Sequence, residues 1–137
     1  MPETLFPKLI VADADAALQF YIDALGAVLK VRHTDDTGRI VHAELELHGH
    51  YIAVAEAVTD WGWYSPSTTN GSPVLLTVVS GDPDGVAQRM SDRGARVIVP
   101  IEDRPYGKRE GRLSDPYGHL WIISGDLFDQ ADGYDRG

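Results

Sequence analysis

The chain has 137 residues, of which 43% are hydrophobic and 24% are charged, values typical of one globular domain. Its 12 basic and 21 acidic residues give a formal net charge of −9, which disfavours nucleic acid and anionic membrane surfaces as partners. Cysteine is absent, which excludes disulfides and thiolate chemistry. Because no signal peptide or membrane-spanning run is recognisable, we expect a cytoplasmic protein.

The first predicted elements are a strand and an amphipathic helix. Lys8–Val11 is a short apolar run typical of a strand, and apolar residues recur at helical spacing within Ala16–Leu25. Either Asp13 or Asp15 can cap the first turn of this helix, and Gly26 is its expected stop. Three further strands follow, so this half of the chain reads strand, helix, strand, strand, strand.

The second half repeats this order. The dipeptide Gly26-Ala27 that ends the first predicted helix recurs 68 residues later, as Gly94-Ala95. The dipeptide Gly49-His50 recurs as Gly118-His119, 69 residues later. A unit of about 60 residues has little interior of its own. The pattern therefore predicts an α+β fold built from two βαβββ modules in tandem.

The expected organisation is one domain over residues 1–125. Module one occupies about 5–57, a linker occupies 58–72, and module two occupies about 73–125. Residues 126–137 are polar and acidic, and we expect them to form a flexible tail.

Three motifs carry a family resemblance. They are Phe20–Gly26, His42–Leu45 and Asp115–Trp121, which read FYIDALG, HAEL and DPYGHLW. Together they resemble the glyoxalase/bleomycin-resistance/dioxygenase superfamily, the vicinal oxygen chelate proteins, over roughly residues 5–125. The last two motifs look most like its PhnB-like branch. The resemblance implies an incompletely closed, barrel-like curved sheet with helices on its convex side, in a chain paired as a homodimer.

The resemblance also implies positions for a metal ion. Catalytic members of the superfamily hold one divalent metal, with ligands from the first and fourth strands of each module. These positions map onto Phe6, Ala53, Val74 or Leu75, and Ile122. Hydrocarbon side chains cannot donate to a metal, so we expect neither a metal nor another cofactor, and no catalytic residue at these positions.

An apolar and aromatic concavity remains as the expected site, with a few polar groups that orient a guest. In the linker, Trp61, Trp63 and Tyr64 supply aromatic faces, either for stacking on a ligand or for a plug or dimer contact. With Phe6 and Ile122 facing the concavity, period-two alternation puts Lys8, Tyr51 and Leu76 on the same side. The predicted ligand-binding residues are Phe6, Lys8, His42, Glu44, Tyr51, Trp61, Trp63, Tyr64, Leu76 and Ile122.

Our first functional hypothesis is metal-free sequestration of a planar, aromatic or cationic small molecule such as an antibiotic, similar to the bleomycin-resistance branch. The alternative is a metal-dependent lyase, isomerase or dioxygenase of the glyoxalase type with displaced ligands. The candidates for those ligands are His42, Glu44, Glu46 or Glu56. A third possibility is a metal-independent isomerase or lyase with Tyr51 or a pocket carboxylate as base.

Overall fold

The computed structural model describes residues 3–127, which form two compact units of α+β architecture. Unit one extends through Ser72 and also contains Pro116–His119. Unit two contains Pro73–Asp115 and the described residues from Leu120 onward. Within residues 3–127, no helix has both the length and the apolar character that crossing a membrane requires.

Unit one contains a four-stranded mixed sheet with one helix packed on it. Its strands lie in the order β1-β4-β3-β2; β1 is parallel to β4 and the other pairs are antiparallel. The elements are β1 (Lys8–Val11), α1 (Ala14–Leu25), β2 (Val28–Thr34), β3 (Ile40–Leu47), β4 (His50–Glu56) and a short helix α2 (Pro66–Thr69).

Unit two has the same order of elements. Its strands lie in the order β5-β8-β7-β6, and β5 is parallel to β8. The elements are β5 (Leu75–Val79), α3 (Pro83–Asp92), β6 (Arg96–Arg104), β7 (Lys108–Ser114) and β8 (Leu120–Asp126). Two tandem modules, each with an open four-stranded sheet, confirm the predicted α+β fold class.

Local sequence signals fix the ends of both long helices. Asp13 caps α1, because its carboxylate accepts a hydrogen bond from the backbone N–H of Ala16 at 3.1 Å. Gly26 ends α1 in the left-handed conformation, with φ of 74°. Asp82 caps α3 in the same way, by accepting from the N–H of Gly85 at 3.0 Å. Of the two predicted caps for the first helix, Asp13 rather than Asp15 is therefore the one used.

The core of each unit lies between its helix and its sheet. Tyr21 and Leu18 of α1 are buried in unit one, where α1 packs on β1, β3 and β4. In unit two, Met90 of α3 is buried with Trp121 and Ile123 of β8. The opposite face of each sheet carries the more exposed side chains, and any ligand site on the sheet belongs there.

The turn that precedes β8 lies in a different place from the one expected. Module two was predicted to include the whole of residues 73–125, but Pro116–His119 pack with unit one. The ring of Tyr117 lies edge-on to those of Phe20 and Tyr21, with centroids 6.1 and 6.4 Å away. Asp126 of the predicted tail belongs to β8, and residues 128–137 lie outside the described residues.

Candidate binding cavities

The candidate site of unit one lies on the sheet face that α1 does not cover. Glu44 of β3 lies opposite Ala53 of β4, and Lys8 of β1 lies opposite the same residue. Glu46 lies opposite Tyr51. Side chains at directly paired positions share a face. The register therefore places these five residues on one face of the sheet.

A cavity of about 440 Å³ opens on this face. It contains three of the predicted ligand-binding residues, namely Phe6, Glu44 and Tyr51. The complete lining is Thr4, Leu5, Phe6, Glu44, Gly49, His50 and Tyr51. We call it the unit-one cavity. It combines two aromatic rings with one carboxylate.

The carboxylate of Glu44 is held by a neighbour on the same strand. His42 Nε2 lies 2.7 Å from Glu44 Oε2, and both side chains are about three-quarters buried. The ring of His33 stacks on that of His42, with centroids 6.3 Å apart. Among residues 3–127, the second oxygen of Glu44 has no hydrogen-bond partner. One oxygen is therefore oriented by the protein and the other can accept from a guest.

The predicted linker cluster forms contacts of its own. The ammonium group of Lys8 lies over the Trp63 ring, 5.0 Å from its centroid. Trp61 lies edge-on to Trp63 at 5.1 Å, and Tyr64 is half exposed. None of these four residues lines the unit-one cavity. The chain's own lysine thus occupies a face that a cationic guest would otherwise contact.

The two predicted residues of unit two lie on opposite faces of its sheet. Thr77 of β5 pairs with Ile122 of β8, whereas Leu76 pairs with the buried Trp121. Leu76 therefore faces the core, and the expectation that it shares a face with Ile122 is wrong by one residue. Leu75 is the residue of β5 that lies in the same cavity as Ile122.

This second cavity has a volume of about 280 Å³ and lies entirely within unit two. We call it the unit-two cavity. It combines an apolar wall with two arginines, a tyrosine and a glutamate. The complete lining is Leu75, Val99, Arg104, Tyr106, Glu110, Gly111, Arg112 and Ile122.

Both oxygens of Glu110 are occupied in the unit-two cavity. The hydroxyl of Ser124 donates to Oε1 at 2.8 Å, and the hydroxyl of Tyr106 donates to Oε2 at 2.8 Å. The hydrogen bond to Glu110, with burial and the carboxylate charge, raises the pKa of Tyr106, and the charges of Arg104 and Arg112 act in the opposite direction. The phenol is thus held in its neutral, donating form.

Arg104 forms hydrogen bonds with the backbone of the cavity wall. Its Nε donates to the carbonyl of Glu110 at 3.0 Å, and its Nη2 donates to the carbonyl of Pro100 at 2.6 Å. The backbone of β6 passes so close to Gly111 that a Cβ there would lie 2.7 Å from the carbonyl carbon of Pro100. This close approach coincides with the irregular register of β6 beside β7 on either side of Val99.

Arg112 differs from Arg104 in having no such partners. Within the described part of the chain, its guanidinium makes no hydrogen bond or ion pair with a protein group. It lies opposite Ile122 in the sheet register and is exposed. Its positive charge is therefore available to a ligand in the cavity.

Apart from Ile122, the residues of the unit-two cavity were not among the predicted ligand contacts, although the sequence repeat indicates two of them. The 68-residue offset maps His42 and Glu44 onto Glu110 and Arg112. The structure supports this mapping, because Glu44 lies opposite Ala53 and Arg112 lies opposite Ile122. The sequence repeat therefore relates side chains of the two modules as well as their turns.

The positions that the superfamily resemblance assigns to a metal do not fit one. Of the two candidates Val74 and Leu75, Leu75 is the one that lines the unit-two cavity with Ile122. The side chains of Phe6, Ala53, Leu75 and Ile122 carry no atom that could coordinate a metal. Among residues 3–127, no three His, Asp or Glu side chains form a group that could hold a metal ion.

The candidate metal ligands of the alternative hypothesis do not form one group within the described residues either. His42 and Glu44 contact each other, but Glu46 lies 3.4 Å from Lys30 and Glu56 lies 3.9 Å from Arg39. Two of the four proposed ligands therefore pair with basic side chains of their own unit.

The fold and sequence together define the class of protein. The family model of the Glyoxalase/Bleomycin resistance protein/Dioxygenase superfamily matches residues 4–123, and the chain belongs to this superfamily. It is 35% identical to the uncharacterized protein Mb0911c of Mycobacterium bovis over 122 residues, which cover 87% of this chain and 80% of that relative.

Solved structures share the same fold. The chain is similar to TioX from Micromonospora sp. ML1, with 26% identity, a TM-score of 0.67 and coverage of 93% of this chain and 98% of that one. It also resembles the Arabidopsis thaliana gene product At5g48480, with 23% identity, a TM-score of 0.71 and coverage of 92% and 99%.

Proposed function

We propose that this chain is a binding protein that sequesters a planar, aromatic or cationic small molecule, such as an antibiotic, without a metal ion. The observation that carries the proposal is the unit-one cavity, where Phe6 and Tyr51 lie with Glu44 around a volume of about 440 Å³. This volume falls within the range of about 300–1,000 Å³ of small-molecule pockets.

The chemistry of the lining supports a flat cation as the guest. An aromatic ring that stacks on Phe6 or Tyr51 contributes roughly 0.5–1.5 kcal/mol beyond its buried area. A positive charge on the guest gains the attraction of these ring faces and of Glu44. The net charge of −9 adds a weaker long-range attraction for cations.

The family supports binding as the activity, because bleomycin resistance proteins are among the members for which it is named. As part of the same proposal, the HAEL and DPYGHLW motifs assign the chain to the PhnB-like branch. We further propose that it is a cytoplasmic homodimer, as the sequence resemblance implies, and that it binds neither nucleic acid nor membranes, as its acidic charge favours.

The test is a fluorescence anisotropy titration of the planar cation proflavine with the full chain. We expect saturable binding that Glu44→Gln weakens about tenfold, because a charge-assisted contact is lost. Tyr51→Ala removes a stacking surface and weakens binding several-fold. Glu56→Gln removes the same charge from unit one outside the cavity and serves as the matched control.

Two results would overturn the proposal. One is the absence of saturable binding, or equal affinity of the wild type and Glu44→Gln. The other is a stoichiometric divalent metal in protein purified without an affinity tag, lost on His42→Ala. That second result would favour the metal-dependent lyase, isomerase or dioxygenase instead.

A further inference from the structure

We propose that the unit-two cavity is a second binding site, with the opposite charge preference, and that it takes a small carboxylate with an apolar body. This inference uses no residue of the unit-one cavity, so it stands independently of the proposed function.

The charges of the unit-two cavity favour an anion. Its lining contains two guanidinium groups and one carboxylate, in a chain whose net charge is strongly negative. A local positive excess in an acidic protein is not explained by overall composition. The positive charge comes from Arg112 on β7 and from Arg104 at the end of β6.

The single carboxylate of the cavity makes no hydrogen bond to Arg112 within the described residues. Glu110 accepts hydrogen bonds from the hydroxyls of Tyr106 and Ser124, one on each oxygen. Arg104 is engaged by the backbone carbonyls of Pro100 and Glu110, and its Nη1 lies 3.4 Å from Oε1 of Glu102. Of the charged groups that line the cavity within residues 3–127, Arg112 is thus the one whose hydrogen-bonding groups are unused.

The ligand class follows from the shape of the free group and from its surroundings. A guanidinium presents two parallel N–H donors whose spacing matches a carboxylate. Leu75, Val99 and Ile122 give the cavity an apolar wall against which a hydrocarbon or aromatic body can pack. The volume of about 280 Å³ suits a compact ligand.

The cavity is also preorganised for such a ligand. Arg104 binds two backbone carbonyls, and Gly111 lets β6 approach β7 more closely than any other residue would allow. A wall that is fixed before binding reduces the entropy lost when the ligand binds.

The experiment is an NMR titration of the ¹⁵N-labelled full chain with sodium benzoate, in parallel with the neutral benzamide and with benzylammonium chloride. We expect benzoate to shift the amide signals of Gly111 and Ile122 saturably. Arg112→Gln should weaken benzoate binding about tenfold, and Arg112→Lys, which keeps the charge but loses the paired donors, should have an intermediate effect. Arg93→Gln is the matched control, since it removes the same charge at the end of α3, outside the cavity.

The inference is overturned if benzamide or benzylammonium binds as tightly as benzoate, or if Arg112→Gln retains wild-type affinity. It is also overturned if the shifted amides map away from the cavity, or if benzoate produces no saturable shift. The ligand comparison is made on the wild type, so it remains decisive even if a variant fails to fold. Proflavine binding by unit one is measured separately, which keeps the two proposals distinguishable.

Discussion

The hydroxyl of Tyr106 donates a hydrogen bond to Glu110 Oε2 over 2.8 Å and so links the turn between β6 and β7 to the wall of the unit-two cavity. The same contact raises the pKa of Tyr106, because the neutral phenol is the form that donates to the carboxylate. A titration can therefore detect whether this wall is formed.

We expect Glu110→Gln to lower the pKa of Tyr106 toward its ordinary value of about 10. The folded state favours the neutral phenol, so the contribution of this contact to stability is complete below the unfolded-state pKa and is lost as the pH rises through the folded-state value. The measurement is a ¹³C NMR titration of labelled tyrosine, with Glu102→Gln as control. An identical Tyr106 titration in wild type and Glu110→Gln would contradict the structure.

The ion pair between Asp84 and Arg109 leads to a second prediction about a pKa, at acidic pH. Arg109 donates to Asp84 from Nε at 2.7 Å and from Nη2 at 3.0 Å, and this pairing lowers the pKa of Asp84. Arg109→Gln should raise that pKa toward the ordinary value of about 3.9. The contribution of the pair to stability is present above the unfolded-state pKa and is lost as the pH falls through the depressed folded-state value. Carboxyl NMR measures the shift, and an unchanged Asp84 titration would refute it.

Gly111→Ala should destabilise unit two, because a methyl group there would overlap the backbone of β6 at Val99 and Pro100. We expect a loss of roughly 1–3 kcal/mol in the free energy of unfolding by urea. Gly81→Ala is the control, since a Cβ at Gly81 would meet nothing within 4 Å. Equal stability of the two variants would show that β6 does not approach β7 as described.

Asp115→Ala should remove the acceptor of a buried hydrogen bond. The indole N–H of Trp121 donates to Asp115 Oδ2 at 3.0 Å, and both residues are buried. We expect a loss of about 1–3 kcal/mol in the free energy of unfolding, and a smaller loss for Asp115→Asn, which keeps an oxygen acceptor. Asp36→Ala, in an exposed turn, is the control. The interpretation fails if Asp115→Asn is as unstable as Asp115→Ala.

The sequence could predict those parts of the fold that depend on local signals. The cap at Asp13, the stop at Gly26 and the repeat of that stop at Gly94 need only neighbouring residues and the conformational freedom of glycine. The position of Pro116–His119 in unit one depends instead on Tyr117 packing against Phe20 and Tyr21, residues almost a hundred positions away. Local periodicity contains no information about such a contact.

The candidate site shows the same division. Alternation predicts Lys8 and Tyr51 on one face, and the register of β4 with β1 and β3 agrees. At β5 the starting register was uncertain by one residue, and in a strand a shift of one residue moves every side chain to the other face, as happened to Leu76. Volume and free hydrogen-bonding capacity, which identify the unit-two cavity, are properties of the folded chain.

The equivalence of Glu44 and Arg112 has a consequence for how the charge of each cavity can be changed. The two residues occupy equivalent positions in the two modules, yet one side chain is negatively charged and the other is positively charged. A single substitution that reverses the charge of Glu44 or of Arg112 changes the charge of one cavity and leaves the lining of the other unchanged. The charge of each cavity can therefore be varied by substitution without a change in the lining of the other.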